Sequence, residues 1–307
     1  MTRINTLYPY IKGMREVLGV LDRLITRGVE DATDGLDHVG IIFSGGIDST
    51  LIALKAREFK TVECFTVGFE DSHDFRHARI AKDKGLNVTE ILLDLDFLEE
   101  ALIDVVNLVG EPNPLAAGVG VPMYLASKKA REAGLDVMLC GQGADELFGG
   151  YWRYVEAYVS NGPEAVAEWM RRDVATADAD NLDRDRLVTS ANSIELRFPF
   201  LLGELVEYSL NLPIEYRLRE VDEGFNEYEC VDNVEGRRFV RKYALRKVAE
   251  MNGVPSEIIN RSKKAAQYGS SVHKHMEKLA RIRGFKEKAR DSGEQSYLKL
   301  YLNSLIR

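Results

Sequence analysis

Short apolar runs alternate with stretches of helical spacing through the first half of this 307-residue chain. The run 39–43 is apolar throughout, which is typical of a strand buried on both faces of a parallel sheet. Parallel strands need crossover connections, and the helices between them supply these. The alternation therefore predicts an α/β fold with a doubly wound parallel sheet. The predicted strands are 39–43, 61–67, 88–93 and 136–140, and the predicted helices are 13–29, 50–59, 74–84, 97–109 and 121–133.

The second half of the chain has a different pattern, in which strand-like runs are rare. Aromatic and charged residues recur at helical spacing over 151–172, and the tail 276–307 is predicted as two amphipathic helices broken near 292–293. The acidic stretch 215–235 is predicted as an exposed hairpin or loop. We therefore divide the chain into an N-terminal helical segment (1–35), an α/β core (36–150) and a mainly helical C-terminal part (151–307).

The charge balance narrows the classes of partner. With 41 basic and 49 acidic residues the net charge is −8, which disfavours nucleic acid. No apolar run approaches the roughly 20 residues that span a bilayer, and the first residues lack the pattern of a signal peptide. We therefore expect a cytoplasmic protein with no membrane partner. The three scattered cysteines are expected to be reduced and structural.

A glycine-rich loop at residues 44–50 follows the first predicted strand and leads into a helix. Ligands of open parallel sheets bind beyond the carboxyl ends of the strands, where glycines let backbone N–H groups approach a phosphate. The alternative is a turn in which Asp48 and Ser49 only cap the helix. The position after a buried strand favours the phosphate site. The loop lacks the lysine of a Walker motif, and Asp48 in its place indicates pyrophosphate bound through Mg²⁺.

A second loop with several glycines, residues 141–151, follows the fourth predicted strand. Asp145 and Asp48 would each lie just beyond a strand end, where they could share one Mg²⁺ as hard oxygen ligands. The alternative is that Asp145 caps the next helix and that Gly149 and Gly150 end it.

Two further patterns have a simpler interpretation than ligand binding. His73 and His77 have the spacing of zinc ligands on a helix, but no third ligand is evident, so two exposed helix histidines are favoured. The basic residues between 237 and 247 could contact tRNA phosphates. Because the net charge is acidic, the solvated face of a helix starting near Phe239 is favoured for them.

The two loops, in this order and about a hundred residues apart, resemble those of the synthetase domain of glutamine-dependent asparagine synthetases, a family of PP-loop ATP pyrophosphatases. The run 145–151 is highly specific for this family, whereas the loop 44–49 is shared by the superfamily. The resemblance extends over about residues 13–271 and implies an adenine nucleotide alpha hydrolase-like fold. Supporting runs are 66–69, 121–125, 193–201 and 261–267.

The resemblance implies a ligase that uses ATP to activate an aspartate-like carboxylate as an acyl-adenylate, releases pyrophosphate and transfers the acyl group to ammonia or an amine. Lys263 matches the family lysine that reaches the α-phosphate, with Lys264 as the alternative if the register slips by one. Asp48 and Asp145 match the Mg²⁺ ligands. The residues implied to hold ATP are Ser44, Gly45, Gly46, Asp48 and Ser49 at the pyrophosphate, and Ile42, Val67 and Gly141 at the adenosine.

Three departures from the family pattern concern the nitrogen source and the acid. This sequence has no N-terminal glutaminase domain, so we expect ammonia or an amine from solution, or ammonia from a separate glutaminase subunit. Gln142 stands where the family has a glutamate that accepts a proton from the attacking ammonium, and it is the second candidate catalytic residue. Gly118 and Leu202 replace a family arginine and a family aspartate.

The sequence thus predicts an amide synthetase of the asparagine synthetase type with ATP and Mg²⁺ as cofactors. Two alternatives stay open. One is an adenylating enzyme with another acceptor, as in β-lactam-forming synthetases or tRNA modification, and the other is a nucleotide-binding partner subunit without turnover. The oligomeric state is also open, with a homodimer as one option.

Overall fold

A parallel sheet organises the chain in the computed structural model, which describes residues 13–177 and 181–307. Its strands are β1 (His38–Ile42), β2 (Thr61–Gly68), β3 (Val88–Leu92), β4 (Val137–Leu139) and β5 (Glu195–Arg197). They are hydrogen-bonded in the order β3-β2-β1-β4-β5, and every pair is parallel. The predicted α/β fold is confirmed. β5 was not predicted, because three residues are too few to show a period.

Helices connect these strands and flank the sheet. They are α1 (Met14–Ala32), α2 (Ile47–Ala56), α3 (His73–Asp83), α4 (Leu95–Val109), α5 (Pro114–Glu132) and α6 (Ala144–Phe148). α5 begins seven residues before the predicted start at 121, although Gly118, Gly120 and Pro122 lie within it. The N-cap Asn113 accepts hydrogen bonds from the N–H groups of Leu115 and Ala116, which explains the earlier start.

Two hydrophobic cores cover the two faces of the sheet. Val39 and Ile41 of β1 pack in one core with α1 and α2. Phe65 and Val67 of β2 pack in the other with α4 and α5. Burial on both faces is the reason that these strands are apolar throughout. The order of strands makes β1 and β4 neighbours, so the loops that follow them lie side by side at one edge of the sheet.

The second half of the described chain is mainly helical, as predicted. Its helices are α7 (Trp152–Asn161), α8 (Pro163–Ala177), α9 (Asp183–Ser190), α10 (Gly203–Asn211), α11 (Tyr243–Met251), α12 (Ser256–Ile259), α13 (Ala266–Gly269), α14 (Val272–Ile282), α15 (Phe285–Ser292) and α16 (Tyr297–Asn303). The tail contains three helices rather than the predicted two. The break at Gly293 is present, but Gly284, with a φ of 76°, adds another between α14 and α15.

An antiparallel sheet follows α10 and was only partly predicted. Its strands are β6 (Leu218–Val221), β7 (Asp232–Val234) and β8 (Arg237–Arg241), with β8 in the middle. The predicted turn joins β7 to β8, because Glu235 and Gly236 both adopt positive φ, 52° and 81°. The predicted helix near Phe239 is wrong. Phe239 and Val240 are buried in β8, and the helix begins at Tyr243.

No helix within residues 13–177 and 181–307 is long and apolar enough to cross a membrane. The division of the chain at residues 35 and 150 stays a prediction.

Candidate functional site

The loop after β1 presents unpaired N–H groups at the start of α2. Gly45 has a φ of 63°, and a Cβ atom there would lie 2.6 Å from the backbone nitrogen of Ala78, so only glycine fits. None of the described side chains caps α2, which leaves its first N–H groups for another acceptor. Ser44 Oγ and Ser49 Oγ lie 3.4 Å apart in the same loop. This arrangement is suited to an anion such as phosphate.

The loop after β4 touches the first loop and carries Asp145. A Cβ atom at Gly141 would lie 3.0 Å from the Cβ of Asp48, which shows how closely the two loops approach. Asp145 lies in the first turn of α6, whose N-cap is Gly143 and has no side-chain cap. Its carboxylate therefore does not cap the helix, as the alternative interpretation proposed, although Gly149 does end α6, with a φ of 71°. A Cβ atom at Gly150 would lie 1.9 Å from Asp145 Oδ1, so a glycine is needed to leave room for this carboxylate.

Two lysines bring the carboxylates of Asp48 and Asp145 together. Lys242 Nζ lies 2.7 and 2.6 Å from the two oxygens of Asp48 and 2.7 Å from Asp145 Oδ1. Lys263 Nζ lies 2.5 Å from Asp145 Oδ2. We call these four residues the ionic cluster. Its two positive and two negative charges balance in a largely buried place, where unpaired charges would be costly.

The ionic cluster shifts the pKa values of Asp145 and Lys263. Burial opposes ionisation of Asp145, but the ammonium groups of Lys242 and Lys263 outweigh it and hold the pKa of this carboxyl well below its usual range. Burial alone would lower the pKa of Lys263. The carboxylates of Asp145 and Asp48 overcome that effect and raise the pKa above its ordinary value. Both groups are therefore charged at neutral pH.

Lys242 is the site residue that the sequence analysis missed. It was counted among the basic residues of a solvated helix face, but it is 2% exposed and has a positive φ of 56° where β8 turns into α11. Arg246 is also buried, so the expectation of a solvated face is wrong for both residues.

A cavity of about 520 Å³ opens beside the ionic cluster. The predicted site residues that line it are Ile42, Ser44, Asp48, Ser49, Gly141, Gln142, Asp145 and Lys263. Gly46 lines a smaller adjoining cavity of about 50 Å³ together with Lys242. Val67 is buried in a hydrophobic core and is not among the residues that line either cavity. Lys264, the alternative to Lys263, lines both cavities but is exposed.

Gln142 is held by a buried carboxylate that carried no recognisable sequence pattern. Its Nε2 donates a hydrogen bond to Asp185 Oδ2 at 2.9 Å, across 43 residues of sequence. Asp185 is fully buried in α9, and its Oδ1 accepts hydrogen bonds from Nε and Nη2 of Arg184 at 2.9 and 2.7 Å. Burial raises the pKa of Asp185 despite this arginine. Arg184 also lines the large cavity.

The space around Gly118 is too small for the arginine that the family has at this position. A Cβ atom at this position in α5 would lie 2.9 Å from the Cβ of Gln267 and 3.3 Å from the Cε of Met276. An arginine therefore has no room here unless neighbouring residues move. Arg153 and Arg184 are the arginines that line the large cavity instead.

The two histidines of α3 lie behind the first loop and are less exposed than expected. His77 is buried and its Nδ1 lies 2.8 Å from the carbonyl oxygen of His73. Burial and the nearby Arg261 lower the pKa of His73 to about 3, so its imidazole is neutral at physiological pH. Among the described residues, no group of three or more His, Cys, Asp or Glu side chains could hold a metal ion.

Arg261 connects the first loop to α3. Its Nη1 donates to the carbonyl oxygen of Ser44, and its Nη2 donates to Asp74 Oδ1, both at 2.5 Å. Arg261 and Asp74 are both buried. Since Lys263 follows two residues later, this ion pair also anchors the segment that carries Lys263.

Replacing Arg261 by leucine is expected to lower the free energy of unfolding by about 3–5 kcal/mol. Burial raises the pKa of Asp74 to about 6 despite this arginine, so without Arg261 the carboxyl must either stay charged without its partner or take up a proton. Equilibrium urea denaturation measures this change. Arg290→Leu is the matched control, since the Arg290 side chain is 77% exposed. Equal stability of the two variants would show that the Arg261–Asp74 pair does not stabilise the fold.

Comparison with known proteins identifies relatives that match most of the chain. The family model for asparagine synthase matches residues 20–165 and 158–302. A Methanocaldococcus jannaschii protein provisionally named asparagine synthetase [glutamine-hydrolyzing] 1 is 40% identical over 301 residues, which cover 93% of this chain and 56% of that protein. The human asparagine synthetase [glutamine-hydrolyzing] is 30% identical over 242 residues, covering 76% of this chain and 40% of that protein. The chain thus spans about half the length of these relatives.

Proposed function

Because the chain belongs to the asparagine synthase family, we propose that it activates a carboxylic acid with ATP and transfers the acyl group to ammonia or an amine. The observation that carries this proposal is the ionic cluster. Two carboxylates and two lysines meet where the loops after β1 and β4 border one cavity. Opposed charges at that edge of a parallel sheet suit a ligand that combines phosphates with a divalent cation.

The first loop would hold the pyrophosphate part of ATP. The N–H groups at the start of α2 and the hydroxyls of Ser44 and Ser49 would supply hydrogen-bond donors, and Gly45 and Gly46 would let the phosphates approach the backbone. Ile42 and Gly141 line the cavity beside this loop and would border the adenosine. Val67 was also proposed at the adenosine by resemblance, and its buried position makes its contribution indirect, through packing of β2.

Mg²⁺ fits the carboxylates of Asp48 and Asp145. Oδ1 of Asp145 is buried. Both carboxylates lie within 2.7 Å of the same ammonium, that of Lys242, so one cation already lies between them. Mg²⁺ typically binds one or two carboxylates and completes its shell with phosphate oxygens and water. We propose that Asp48 and Asp145 hold Mg²⁺ with ATP, where the ion would offset phosphate charge.

Lys263 would act in the first chemical step. A carboxylate oxygen of the acid attacks the α-phosphorus, the bond to the bridging oxygen breaks, and pyrophosphate leaves. Two anions approach each other in this step, and negative charge grows on the α-phosphoryl oxygens. The Lys263 ammonium lines the cavity and can offset that charge. For this, the Lys263 ammonium would have to break its ion pair with Asp145.

The second step would take place on the side of the cavity where Gln142 lies. The nitrogen nucleophile forms a bond to the acyl carbon, the bond between the acyl carbon and the AMP oxygen breaks, and the nucleophile loses one proton to the leaving AMP phosphate or to water. An amide has no useful basicity, so Gln142 can bind the nucleophile but cannot take this proton. We propose an aspartate-like acid as substrate. Ammonia from a glutaminase, as the names of the relatives suggest for those proteins, is the proposed nitrogen source.

Exchange of labelled pyrophosphate into ATP tests the proposed activation step. We expect exchange that depends on Mg²⁺ and on aspartate, because only a reversible adenylation returns pyrophosphate to ATP. Asp48→Asn should weaken Mg²⁺-ATP affinity at least about tenfold, equivalent to about 1.4 kcal/mol, as measured by titration calorimetry. Asp83→Asn, on the exposed end of α3, is the control. ATP binding without exchange for any of a panel of carboxylic acids would instead support a nucleotide-binding subunit.

A further inference from the structure

The hydrogen bond between Gln142 and Asp185 determines which end of the Gln142 amide faces the cavity. Arg184 donates two hydrogen bonds to Asp185 Oδ1, which keeps this carboxyl in its acceptor form. The remaining oxygen, Oδ2, can then only accept from Gln142, so the amide nitrogen points to Asp185. The amide oxygen of Gln142 consequently points away from Asp185, on a side chain that lines the cavity.

We propose that Asp185 is a positioning residue that keeps the amide oxygen of Gln142 directed into the cavity, where it accepts an N–H of the nitrogen nucleophile. This inference rests on the proposed function and adds to it the group that binds the nucleophile. Asp185 itself is 0% exposed and does not reach the cavity. Its effect therefore passes through Gln142.

The charges around this pair favour a neutral nucleophile. The negative charge of Asp185 is offset by Arg184, whose guanidinium is its ion-pair partner at 2.7 Å. An ammonium ion approaching Gln142 thus meets an uncharged oxygen and gains no ion pair from this side chain. Neutral ammonia or a neutral amine donates the same hydrogen bond and keeps its lone pair for the acyl carbon. The structure therefore assigns this wall of the cavity to an uncharged nitrogen compound.

The isosteric variant Asp185→Asn reverses the orientation of Gln142. The oxygen of the new amide stays on Arg184, because its NH₂ group would be repelled by the guanidinium. That NH₂ group then faces Gln142, whose amide must turn over to offer its own oxygen. Gln142 would now present a donor to the cavity instead of an acceptor. We expect the ratio of amide formation to pyrophosphate exchange to fall at least about tenfold.

A carboxylate at position 142 is compatible with the site only if Asp185 changes as well. Gln142→Glu alone places two carboxylates at the 2.9 Å distance of the present hydrogen bond, where they repel each other. In the double variant Gln142→Glu with Asp185→Asn, the NH₂ group of Asn can donate to the glutamate. We expect amide formation by this double variant to exceed that of Gln142→Glu at least about tenfold.

The test measures both steps with aspartate, ATP, Mg²⁺ and ammonium chloride in the single variants, the double variant and the control Asp183→Asn. Asp183 lies two residues away on α9, and its side chain is 69% exposed. The proposal is supported if Asp185→Asn changes the kcat of amide formation more than the KM for aspartate, and if the double variant regains activity over Gln142→Glu. The proposal would be overturned if Asp185→Asn lost pyrophosphate exchange and amide formation equally, or if the double variant recovered no amide formation over Gln142→Glu.

A measurement without substrate separates this inference from the proposed function. In ¹⁵N-edited NMR spectra, the side-chain NH₂ protons of Gln142 should exchange slowly with solvent in the wild-type protein, because they bond to a buried carboxylate. In Asp185→Asn they should exchange at least about tenfold faster, since they would face the cavity. Equal exchange rates in the two proteins would overturn the proposed orientation, whatever acid the enzyme activates.

Discussion

Replacing Lys263 by alanine is expected to lower aspartate-dependent ATP–pyrophosphate exchange by a factor of about 10²–10³, the usual loss when one positioned electrostatic group is removed from a transition state. The ammonium is needed when the carboxylate attacks the α-phosphorus, and less so in the ground state. We therefore expect ATP affinity to change by less than about tenfold. Exchange rates and titration calorimetry on the same preparation measure the two effects separately.

Lys264→Ala is the control for Lys263→Ala. Both lysines line the large cavity, but Lys263 Nζ lies 2.5 Å from Asp145 Oδ2, whereas Lys264 is exposed. A smaller loss of exchange in Lys264→Ala is expected, because an exposed ammonium is screened by water. If the two variants lost exchange equally, or if Lys264→Ala lost more, the assignment of the α-phosphate lysine to position 263 would be wrong.

Replacing Lys242 by methionine is expected to lower the free energy of unfolding by about 3–5 kcal/mol, the cost of breaking a buried ion pair by removing one partner. Methionine has a volume similar to that of lysine, so packing is largely kept. The loss of stability then measures the effect of removing the charge. Asp48 would lose its ion pair with Lys242, and Asp145 would keep its ion pair with Lys263. Urea denaturation at neutral pH measures the difference. Lys274→Met is the control, because its side chain is 70% exposed.

The pH dependence of the Lys242 variant gives an independent check. Because the pKa of Asp145 is lowered in the folded protein, its stabilising contribution is present above the pKa of an unfolded aspartate and is lost as the pH falls towards the lowered value. The stability difference between wild type and Lys242→Met should therefore shrink on acidification. Added Mg²⁺ should also stabilise the variant, as the two carboxylates lose their shared lysine. A difference that stays constant with pH would contradict the ionic cluster as its source.

Several features of the fold follow from local patterns in the sequence. Continuous apolar runs predicted the first four strands of the sheet to within one or two residues at each end, because burial on both faces leaves no polar position in such a strand. Parallel pairing then requires the loops that begin at Ser44 and Gly141 to emerge at the same edge. The proximity of Asp48 and Asp145 was predictable for that reason, and the structure shows both carboxylates on one lysine.

Contacts between distant segments were decided by the tertiary structure alone. Lys242 reaches Asp48 across 194 residues of sequence, and Asp185 reaches Gln142 across 43. Whether a charged side chain is solvated or buried depends on what packs over it. No local pattern in the sequence around Lys242 or Asp185 indicates that these side chains are buried. Local patterns thus placed the first four strands of the parallel sheet, the two glycine loops and two of the acidic residues. The positions of Lys242, between those two acids, and of Asp185, beside Gln142, were determined by the packing of helices and strands that are distant in the sequence.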